Sequence, residues 1–362
     1  MLNSKAAEHA VILQYHHISD STPAITSTSP ELFLWQVNYL HEQGYQILPL
    51  TKVIDAIQRK QQLPSKSVVL TFDDSYESIY SNAYPILKEK NWPFAIFIDT
   101  DGVGKNKMHL NWQQIREMKA NGAEILNHSH SHTHFVRQQS DENKQQWLQR
   151  IRKEINLAQS IIKRETGSDD KIIAYPFGEY SLEIIDLIES MGFVGVGQQS
   201  GPFGYNMPDS IVPRYPMGAY FGKPASFMQK LNTLPMPLKN YPKVEPVQLQ
   251  NFNPALALDF KLDNEGQKRK LLNQFQCYFG ANKTNISWSE IDNKALTANV
   301  RATNNIPIAR SRYNCTLPVK GFNPEVTPKE DVNNKTYYWY SQLWIRPKKV
   351  SADYHEIHWY NE

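Results

Sequence analysis

The stretch V69-L-T-F-D-D-S-Y-E-S78 places two adjacent acids directly after an apolar, β-prone run. An ordinary strand that ends in a turn is the simplest interpretation, because Asp-Asp-Ser is common turn chemistry. The neighbouring carboxylates of Asp73 and Asp74 repel each other, however, and a bound divalent cation would neutralise the pair. The stretch therefore predicts the end of a buried strand, and it leaves open whether the two acids belong to a turn or to a catalytic site.

Short apolar runs alternate with helical periods on both sides of this stretch, from residue 11 to about residue 234. Buried strands are predicted at 11–15, 68–72, 94–98, 123–126, 172–174 and 193–196. Helices are predicted from Ser29-Pro30, where an N-cap serine precedes a first-turn proline, and at 76–90, 112–121, 141–166 and 181–191. Strict alternation of strand and helix predicts an α/β domain with a parallel sheet or barrel.

The pattern changes after residue 234, where four prolines crowd a dozen residues: Pro235, Pro237, Pro242 and Pro246. Proline disfavours both helix and central strand, so we predict a linker at 235–246. Alternating segments at 255–262, 295–302 and 337–345 then predict a β-sandwich domain at 247–362, after an α/β domain at 1–234. The aromatic side chains of the β-sandwich could stack on sugars, although packing of a sandwich core is the simpler interpretation.

Composition limits the classes of function. The 362 residues include 40% hydrophobic side chains and carry a net charge of +3, with both signs mixed along the chain. The sequence has no basic stripe of the kind that a nucleic-acid binder needs, and its longest apolar runs are far shorter than the ~20 residues of a membrane span. The first ten residues lack the apolar core of a signal peptide, although a processed start would look the same. We therefore expect no nucleic-acid partner and no transmembrane segment.

A histidine cluster, N127-H-S-H-S-H-T-H134, follows the predicted strand at 123–126 and holds four of the eleven histidines in the chain. A histidine-rich surface loop is the alternative interpretation. In parallel α/β folds, catalytic side chains collect at the carboxyl ends of the strands, where Asp73 and Asp74 also lie. A catalytic zinc keeps three protein ligands and an open position, and two histidines with one carboxylate meet that requirement. One aspartate would then bind metal while the other acts as a base.

Three segments of the predicted α/β domain, T71-F-D-D74, E124-I-L-N-H-S-H-S-H132 and A174-Y-P-F-G-E179, carry a recognisable combination of motifs. In this order they resemble the first three motifs of the polysaccharide deacetylase family, which is carbohydrate esterase family 4 with its NodB homology domain. The resemblance covers about residues 10–234. It implies a distorted (β/α) barrel of the polysaccharide deacetylase type, followed here by the predicted β-sandwich. It also implies an enzyme that uses a divalent metal to remove N-acetyl groups from an acetylated amino-sugar polysaccharide.

The resemblance implies roles for individual residues as well. Asp73 is similar to the general base of the family, and the metal ligands implied by the motifs are Asp74, His128 and His132. The metal is expected to be Zn²⁺, with Co²⁺ or Ni²⁺ as alternatives. Two further histidines of the cluster, His130 and His134, fall out of register with the motif, and we expect them to decorate the loop rather than join the site.

The general acid is where the chain departs from the common family pattern. Many members carry it in a late Leu-x-His motif, whereas this chain has no histidine between His134 and His355. The stretch I12-L-Q-Y-H-H-I18 instead resembles the opening of a circularly permuted branch, typified by biofilm poly-β-1,6-N-acetylglucosamine deacetylases. In that branch the acid comes from the first strand, and His16 matches its position. His17 would face the other side of the strand, and a buried core histidine is the alternative role for His16.

A second departure concerns the third motif. Many members carry an arginine before the Pro-aromatic-Gly loop to orient the catalytic aspartate, and Ala174 stands at that place here. Arg214, in V212-P-R-Y-P-M217, is a candidate to fill this role from another loop. The resemblance further implies that the loop shapes the acetyl pocket and offers a backbone N–H near Phe177 to the oxyanion. The residues assigned to substrate or oxyanion contact are Tyr175, Pro176, Phe177 and Arg214.

The leading hypothesis is therefore a metal-dependent N-deacetylase that acts on a β-linked N-acetylglucosamine polymer outside the cytoplasm, in the periplasm, at the cell surface or as a secreted protein. Chitooligosaccharides, peptidoglycan and acetylated xylan remain alternatives within the same chemistry. A non-catalytic carbohydrate-binding or matrix protein on the same fold is a different class of function, and the retention of all four motif side chains disfavours it. An extracytoplasmic enzyme works in an oxidising compartment, so we expect Cys277 and Cys315 to form a disulfide, with two buried free thiols as the alternative.

Overall fold

The computed structural model describes residues 6–292, 295–319, 336–350 and 357–359. Its largest element is a nine-stranded sheet. Seven of the strands follow one another in the order Val194–Val196, Ile172–Ala174, Ala123–Asn127, Phe94–Ile98, Ser67–Asp73, His9–Tyr15 and Phe203–Gly204. Two short strands complete the sheet: Gln46–Ile47 pairs with Ser67–Asp73, and Tyr215–Pro216 pairs with His9–Tyr15.

The 212–216 segment curls this sheet towards a barrel. Val212 forms a parallel bridge with Val196 at one end of the strand order, whereas Tyr215 pairs with Leu13 near the other end. The pairings are parallel, except that Phe203–Gly204 runs antiparallel to the strand beside it. The prediction of an α/β fold with a distorted barrel is therefore confirmed.

Helices connect the strands and pack against them. The α-helices of this part of the chain are Pro30–Glu42, Leu50–Gln58, Tyr84–Glu89, Trp112–Ala120, Lys144–Thr166, Leu182–Ser190 and Pro224–Leu231, with a π-helical turn at Ile79–Ala83. Single 3₁₀ turns lie at Ala24–Thr26, Pro176–Gly178, Asp209–Ile211 and Ala219–Gly222. The predicted N-cap is present, because the Ser29 hydroxyl accepts a hydrogen bond from the backbone N–H of Leu32. The sequence analysis did not predict the helices Leu50–Gln58 and Pro224–Leu231.

Both faces of the main strands are buried, which explains why they read as continuous apolar runs. Val11 and Leu13 pack into one cluster with helix side chains such as Phe33. Ile12, which points to the opposite face, packs into a second cluster with Val196 and other strand residues. This two-sided burial fixes the strand register, and with it the place where each strand ends.

The described residues of the C-terminal part of the chain form two main sheets and one helix, Glu265–Gln274, and the strands pair antiparallel except for Thr233–Pro235. The larger sheet has the order Thr233–Pro235, Tyr337–Arg346, Ala309–Pro318, Gln276–Phe279 and Asn282–Lys283, and the smaller has the order Ala255–Lys261, Ala295–Arg301 and Asn285–Asp292. Side chains of both sheets share one apolar core. Cys277 and Cys315 face each other on paired strands and form the predicted disulfide.

The proline-rich segment at 235–246 is not a free spacer, although its composition predicts a linker. Thr233–Pro235 is a strand of the larger C-terminal sheet, in parallel with the Tyr337–Arg346 strand. Met236 is buried in the C-terminal core, and Leu238 forms a β-bridge with Phe260. The prolines interrupt regular hydrogen bonding in this segment, but the segment still packs against the two C-terminal sheets. The division of the chain into domains at 1–234 and 247–362 stays a prediction.

No helix within the described ranges is both long and apolar enough to cross a lipid bilayer.

Candidate metal centre and catalytic site

The candidate site lies where neighbouring strands of the curled sheet end. Asp73 is the last residue of the Ser67–Asp73 strand, and His128 directly follows the Ala123–Asn127 strand. The Ile172–Ala174 strand, beside Ala123–Asn127, leads into the Pro176–Gly178 turn. Because the carboxyl ends of parallel strands meet at one edge, the three motif segments converge there.

Asp74, His128 and His132 bring three metal-ligand atoms together. The Asp74 Oδ1 atom lies 3.1 Å from His128 Nε2 and 3.2 Å from His132 Nε2. All three atoms lie within 4.8 Å of one another. Asp74 has a left-handed backbone conformation, with φ of 65°, at the point where the chain leaves the strand. The structure therefore assembles the three residues that the motifs nominate as ligands.

The fit of a metal ion to these residues can be judged from their unpaired atoms. Asp74 Oδ1 and His128 Nε2 are buried and make no hydrogen bond. Buried polar atoms without hydrogen-bond partners are rare in folded proteins, and atoms that bind a metal ion are one recognised exception. Bonds of about 2.0–2.1 Å at tetrahedral angles place ligand atoms about 3.3 Å apart. The separations of 3.1 and 3.2 Å around Asp74 Oδ1 are close to that value, so the donor set fits a small divalent cation.

Hydrogen bonding orients the His128 ring for this task. Its Nδ1 atom lies 2.8 Å from the carbonyl oxygen of Ala174. A carbonyl can only accept, so Nδ1 carries the proton and Nε2 presents its lone pair to the site. The strand that ends at Ala174 thus fixes the tautomer of a ligand on the neighbouring strand.

The electrostatics of the ligand cluster favour a positive charge at its centre. Burial lowers the pKa of His128, but the carboxylates of Asp74 and Asp73 raise it, and the net pKa lies above the ordinary value. Burial raises the pKa of Asp74, whereas the close approach of the His128 and His132 rings and the charge of His16 lower it, and the net pKa lies well below the usual range. In both cases the protein environment stabilises a cation next to the Asp74 carboxylate.

Asp73 is held by a different set of partners. Arg214 donates from Nη1 to Asp73 Oδ1 at 2.7 Å and from Nη2 to Asp73 Oδ2 at 2.8 Å, and both side chains are fully buried. Gln14 adds a third hydrogen bond, from Nε2 to Asp73 Oδ2 at 2.7 Å. Burial raises the pKa of Asp73, but the charge of Arg214 and its hydrogen bonds lower it, and the net pKa is below the ordinary value. Asp73 is therefore an ionised, rigidly oriented carboxylate.

Arg214 thus occupies the place that the sequence analysis suggested for it beside Asp73. Its Nε atom donates to the carbonyl of Gly197 at 2.9 Å, and Nη1 also donates to the Thr71 hydroxyl at 3.1 Å. The guanidinium has no exposed surface, and its contact with Asp73 is the one that the sequence analysis offered for it. The assignment of Arg214 to substrate or oxyanion contact stays a prediction.

Gln14 is a residue of the site that the sequence analysis missed. It is 1% exposed and lies within the apolar run of the His9–Tyr15 strand. A polar side chain at a fully buried strand position must find a hydrogen-bond partner. A glutamine within an apolar strand was therefore a signal in the sequence that this side chain has a buried partner. The identity of that partner, Asp73, follows only from the fold.

His16 and His17 leave the end of the first strand in different directions. His16 Nε2 lies 3.9 Å from Asp73 Oδ2 and 3.9 Å from Asp74 Oδ2, at the rim of the site. His17 is buried and stacks on Tyr76, with ring centroids 3.5 Å apart. Burial and the charge of His16 lower the pKa of His17 to about 4, against a smaller opposing effect of Asp74. His16 is therefore the one of the pair whose ring faces both acids.

The loop after the Ile172–Ala174 strand contributes one side chain to the site. Phe177, at a left-handed φ of 58°, places its ring centroid 4.5 Å from that of His132. Tyr175 is fully buried, and its hydroxyl donates to the Ser210 carbonyl at 2.6 Å. The buried Tyr175 side chain therefore supports the loop, and the assignment of Tyr175 to substrate or oxyanion contact stays a prediction. Pro176 is buried in the same turn.

The two remaining histidines of the cluster have partners of their own. His130 Nδ1 lies 2.8 Å from the Thr100 hydroxyl, outside the ligand set. His134 Nδ1 lies 2.7 Å from Glu179 Oε2, and its ring stacks on Phe177 with centroids 3.6 Å apart. His134 is therefore linked to the site through Phe177 rather than through a metal ligand.

Comparisons with known proteins agree with this geometry. Residues 60–196 match the family model for polysaccharide deacetylase. A poly-beta-1,6-N-acetyl-D-glucosamine N-deacetylase of Staphylococcus aureus (strain MSSA476) is 29% identical over 197 residues, which cover 52% of this chain and 67% of that protein.

Two solved structures share the fold. The Streptococcus pyogenes deacetylase PplD, in complex with acetate, matches with a TM-score of 0.55 and 24% identity, over 62% of this chain and 98% of its own. IcaB from Ammonifex degensii matches with a TM-score of 0.52 and 23% identity, over 62% of this chain and 96% of its own. The matched residues 60–196 contain Asp73, Asp74, His128 and His132. Residues 60–196 of this chain are therefore similar to the polysaccharide deacetylase family, and the motif side chains lie within the matched segment.

Proposed function

We propose that this protein is a metal-dependent N-deacetylase that hydrolyses acetamide groups of a β-linked N-acetylglucosamine polymer and releases acetate. One observation carries the proposal: a ligand cluster of Asp74, His128 and His132 lies next to a second carboxylate, Asp73, which is held in place by Arg214. Metal ligands and a separately positioned base are two of the components that metal-assisted hydrolysis of an amide uses.

Asp74, His128 and His132 are the residues proposed to hold the ion. A divalent cation bound there would polarise the acetamide carbonyl and lower the pKa of a water molecule. Zn²⁺ is the expected metal because two imidazole nitrogens and one carboxylate oxygen are typical zinc ligands that leave a position open. Co²⁺ and Ni²⁺ accept similar ligands and are the alternatives.

Asp73 is the proposed general base. Its hydrogen bonds from Arg214 and Gln14 keep the carboxylate ionised, so it can accept a proton at neutral pH. The same hydrogen bonds make it a weak base, and the attacking water must therefore be acidified before Asp73 can take its proton. Arg214 and Gln14 also fix the direction in which the carboxylate points.

His16 is the proposed general acid, and the loop at Phe177 is the proposed oxyanion site. His16 Nε2 lies 3.9 Å from Asp73 Oδ2 and 3.9 Å from Asp74 Oδ2. We propose that it donates a proton to the amine that leaves from the space beside these two carboxylates. An amine is a poor leaving group until its nitrogen is protonated, so a donor at this position is needed. The backbone N–H of Phe177 lies in the first turn of a 3₁₀ segment, where amides lack an acceptor within the helix, and could donate to the developing oxyanion.

The substrate class rests on similarity. The Staphylococcus aureus relative is named for poly-β-1,6-N-acetyl-D-glucosamine, and its similarity to this chain supports a β-1,6-linked substrate. The Cys277–Cys315 disulfide supports an oxidising, extracytoplasmic location, where such a polymer would be met.

The test is acetate release from a panel of acetylated glycans by the protein loaded with Zn²⁺. We expect the highest kcat/KM on poly-β-1,6-N-acetylglucosamine, with chitooligosaccharides, peptidoglycan fragments and acetylated xylan as the comparison substrates. Asp73→Asn is the matched inactive control, because it keeps the size of the side chain and removes the base. Absence of acetate from every glycan, or equal rates for the enzyme and the Asp73→Asn variant, would contradict the proposed function.

A further inference from the structure

The C-terminal sheet reaches the rim of the candidate site. Arg310 lies near the start of the Ala309–Pro318 strand, and its Nη1 atom donates to the backbone carbonyl of Phe177, 133 residues earlier in the chain. The same guanidinium lies 3.6 Å, from Nε, from the Glu179 Oε1 atom. An arginine of the second part of the chain therefore bridges both sides of the turn that carries Phe177.

The contacts of Arg310 continue to a metal ligand. Glu179 has no exposed surface, and its Oε2 atom lies 2.7 Å from His134 Nδ1. The rings of His134 and Phe177 stack almost in parallel, with an interplanar angle of 6°. Phe177 in turn packs on His132. We call Arg310, Glu179, His134 and Phe177 the Phe177 clamp. The ring of the proposed ligand His132 is not part of the clamp, but it packs against Phe177.

Backbone geometry explains why this turn needs support. Phe177 and Gly178 have consecutive left-handed conformations, with φ of 58° and 67°. A bulky aromatic residue rarely adopts positive φ, and such strain persists only where surrounding contacts impose it. Ala309, directly before Arg310, also has a positive φ, of 84°. Unusual backbone conformations thus occur both at the start of the strand that carries Arg310 and in the turn that Arg310 contacts.

We propose that Arg310 is a positioning residue of the deacetylase site, so that the C-terminal sheet completes the site rather than serving only as an appended sugar-binding domain. This inference rests on the proposed function. Arg310 fixes the 177–178 peptide and neutralises buried Glu179, and these contacts hold Phe177 against His132. The neighbouring 176–177 peptide, which carries the proposed oxyanion donor, is fixed by the same contacts.

Arginine suits this position better than lysine. Its planar guanidinium presents several N–H donors in a rigid fork, so one side chain can serve a carbonyl and a carboxylate at once. A lysine offers a compact charge on a flexible stem and would satisfy one of the two acceptors with good geometry. We therefore expect the Arg310→Lys variant to keep only part of the wild-type kcat.

The experiment compares Arg310→Ala, Arg310→Lys and Glu179→Gln with the wild-type enzyme. Arg269→Ala is the matched control, because Arg269 is an exposed arginine on the Glu265–Gln274 helix of the same part of the chain. For each variant we would measure kcat and KM separately, the dissociation constant of Zn²⁺ by chelator competition, and the visible spectrum of the Co²⁺-loaded protein.

We expect Arg310→Ala to lower kcat and weaken Zn²⁺ binding, each by about 10–100-fold, which is the usual effect of losing a group that orients a metal ligand. KM should change little, and the Co²⁺ spectrum should change because the His132 ring is less constrained. Arg310→Lys should recover part of kcat. The double variant Arg310→Ala/Glu179→Gln should lose less than the product of the two single losses, since both act through one clamp.

Two results would overturn the inference. One is an Arg310→Ala enzyme whose kcat, Zn²⁺ affinity and Co²⁺ spectrum match those of Arg269→Ala. The other is a double variant Arg310→Ala/Glu179→Gln whose fold-loss in kcat equals the product of the losses in the two single variants. Zn²⁺ affinity and the Co²⁺ spectrum do not depend on turnover, so they test the Phe177 clamp even if the wild-type protein proves inactive on every glycan. Inactivity of the wild-type protein on every glycan would contradict the proposed function without contradicting the role of the Phe177 clamp.

Discussion

The replacement of Arg214 by methionine is the most informative perturbation of the site. Methionine keeps much of the apolar volume and removes all four buried hydrogen bonds of the guanidinium, which go to both oxygens of Asp73, to Thr71 and to Gly197. Asp73 has no exposed surface, so its charge would be left with Gln14 as its remaining hydrogen-bond donor. Breaking a buried ion pair by removing one partner typically costs about 3–5 kcal/mol. We expect Arg214→Met to lose that much unfolding free energy at pH 7.

A matched exposed pair separates this effect from the general loss of an arginine. Arg116 and Glu165 form an ion pair at 3.2 Å, with the Arg116 side chain 50% exposed. Exposed pairs contribute about 0–1 kcal/mol. Urea unfolding at pH 7 should therefore place Arg116→Met close to wild type and Arg214→Met far below it.

The pH dependence provides a second test of the same variant. In the wild-type enzyme the folded-state pKa of Asp73 is lowered, so its contribution to stability is present above the unfolded pKa of about 3.9 and is lost as the pH falls through the folded value. In Arg214→Met, burial acts without the opposing guanidinium, and the folded pKa should rise above the unfolded value. The variant should then lose stability as the pH rises from about 4 through that new pKa.

Catalysis should report the same change. Because the proposed base must be ionised, the acidic limb of the kcat/KM profile should move to higher pH in Arg214→Met. An Arg214→Met enzyme as stable as Arg116→Met, with an unshifted acidic limb, would refute the idea that Arg214 sets the charge and orientation of Asp73.

Three further predictions concern the ligands, the acid and the disulfide. His128→Ala should lower zinc content measured by mass spectrometry together with activity, because it removes one of three ligands, whereas His130→Ala should retain both; equal zinc content in the two variants would remove His128 from the ligand set. His16→Ala should keep metal and fold while turnover falls about 10²–10⁴-fold, with a smaller loss on an acetate ester that has a good leaving group; near wild-type deacetylation would exclude His16 as the acid. Replacing Cys277 and Cys315 by serine should lower unfolding free energy by about 2–4 kcal/mol, and unchanged urea unfolding would contradict a stabilising bridge.

Local patterns predicted the central strands well because each strand is buried on both faces. The run at 94–98 is a strand with those bounds, and the acids after residue 72 do end a strand. Helix Leu50–Gln58 was missed although Leu50, Val53, Ile54 and Ile57 repeat at helical spacing and are buried. That signal was present in the sequence, so the omission is an error of interpretation rather than a lack of information.

The partners of the candidate site residues could not be predicted in the same way. Gln14 and Asp73 are separated by 59 residues, and Arg310 and Phe177 by 133. Neither contact follows from periodicity or from a local motif, because each depends on which strands become neighbours. The partner of the Tyr175 hydroxyl could not be predicted for a related reason, since the side chain turns into the core to reach Ser210, 35 residues later in the chain.

The adjacent acids that end the Ser67–Asp73 strand acquire different chemistry because their surroundings neutralise them separately. Asp73, the last residue of the strand, points to the buried guanidinium of Arg214, which is a permanent cation. Asp74 leaves the strand in a left-handed conformation and points instead to two imidazoles. Its charge is therefore best balanced by an ion that both rings can also bind. A change of backbone direction over one residue thus gives the proposed base and the proposed ligand different partners, the Arg214 guanidinium for Asp73 and two imidazoles for Asp74.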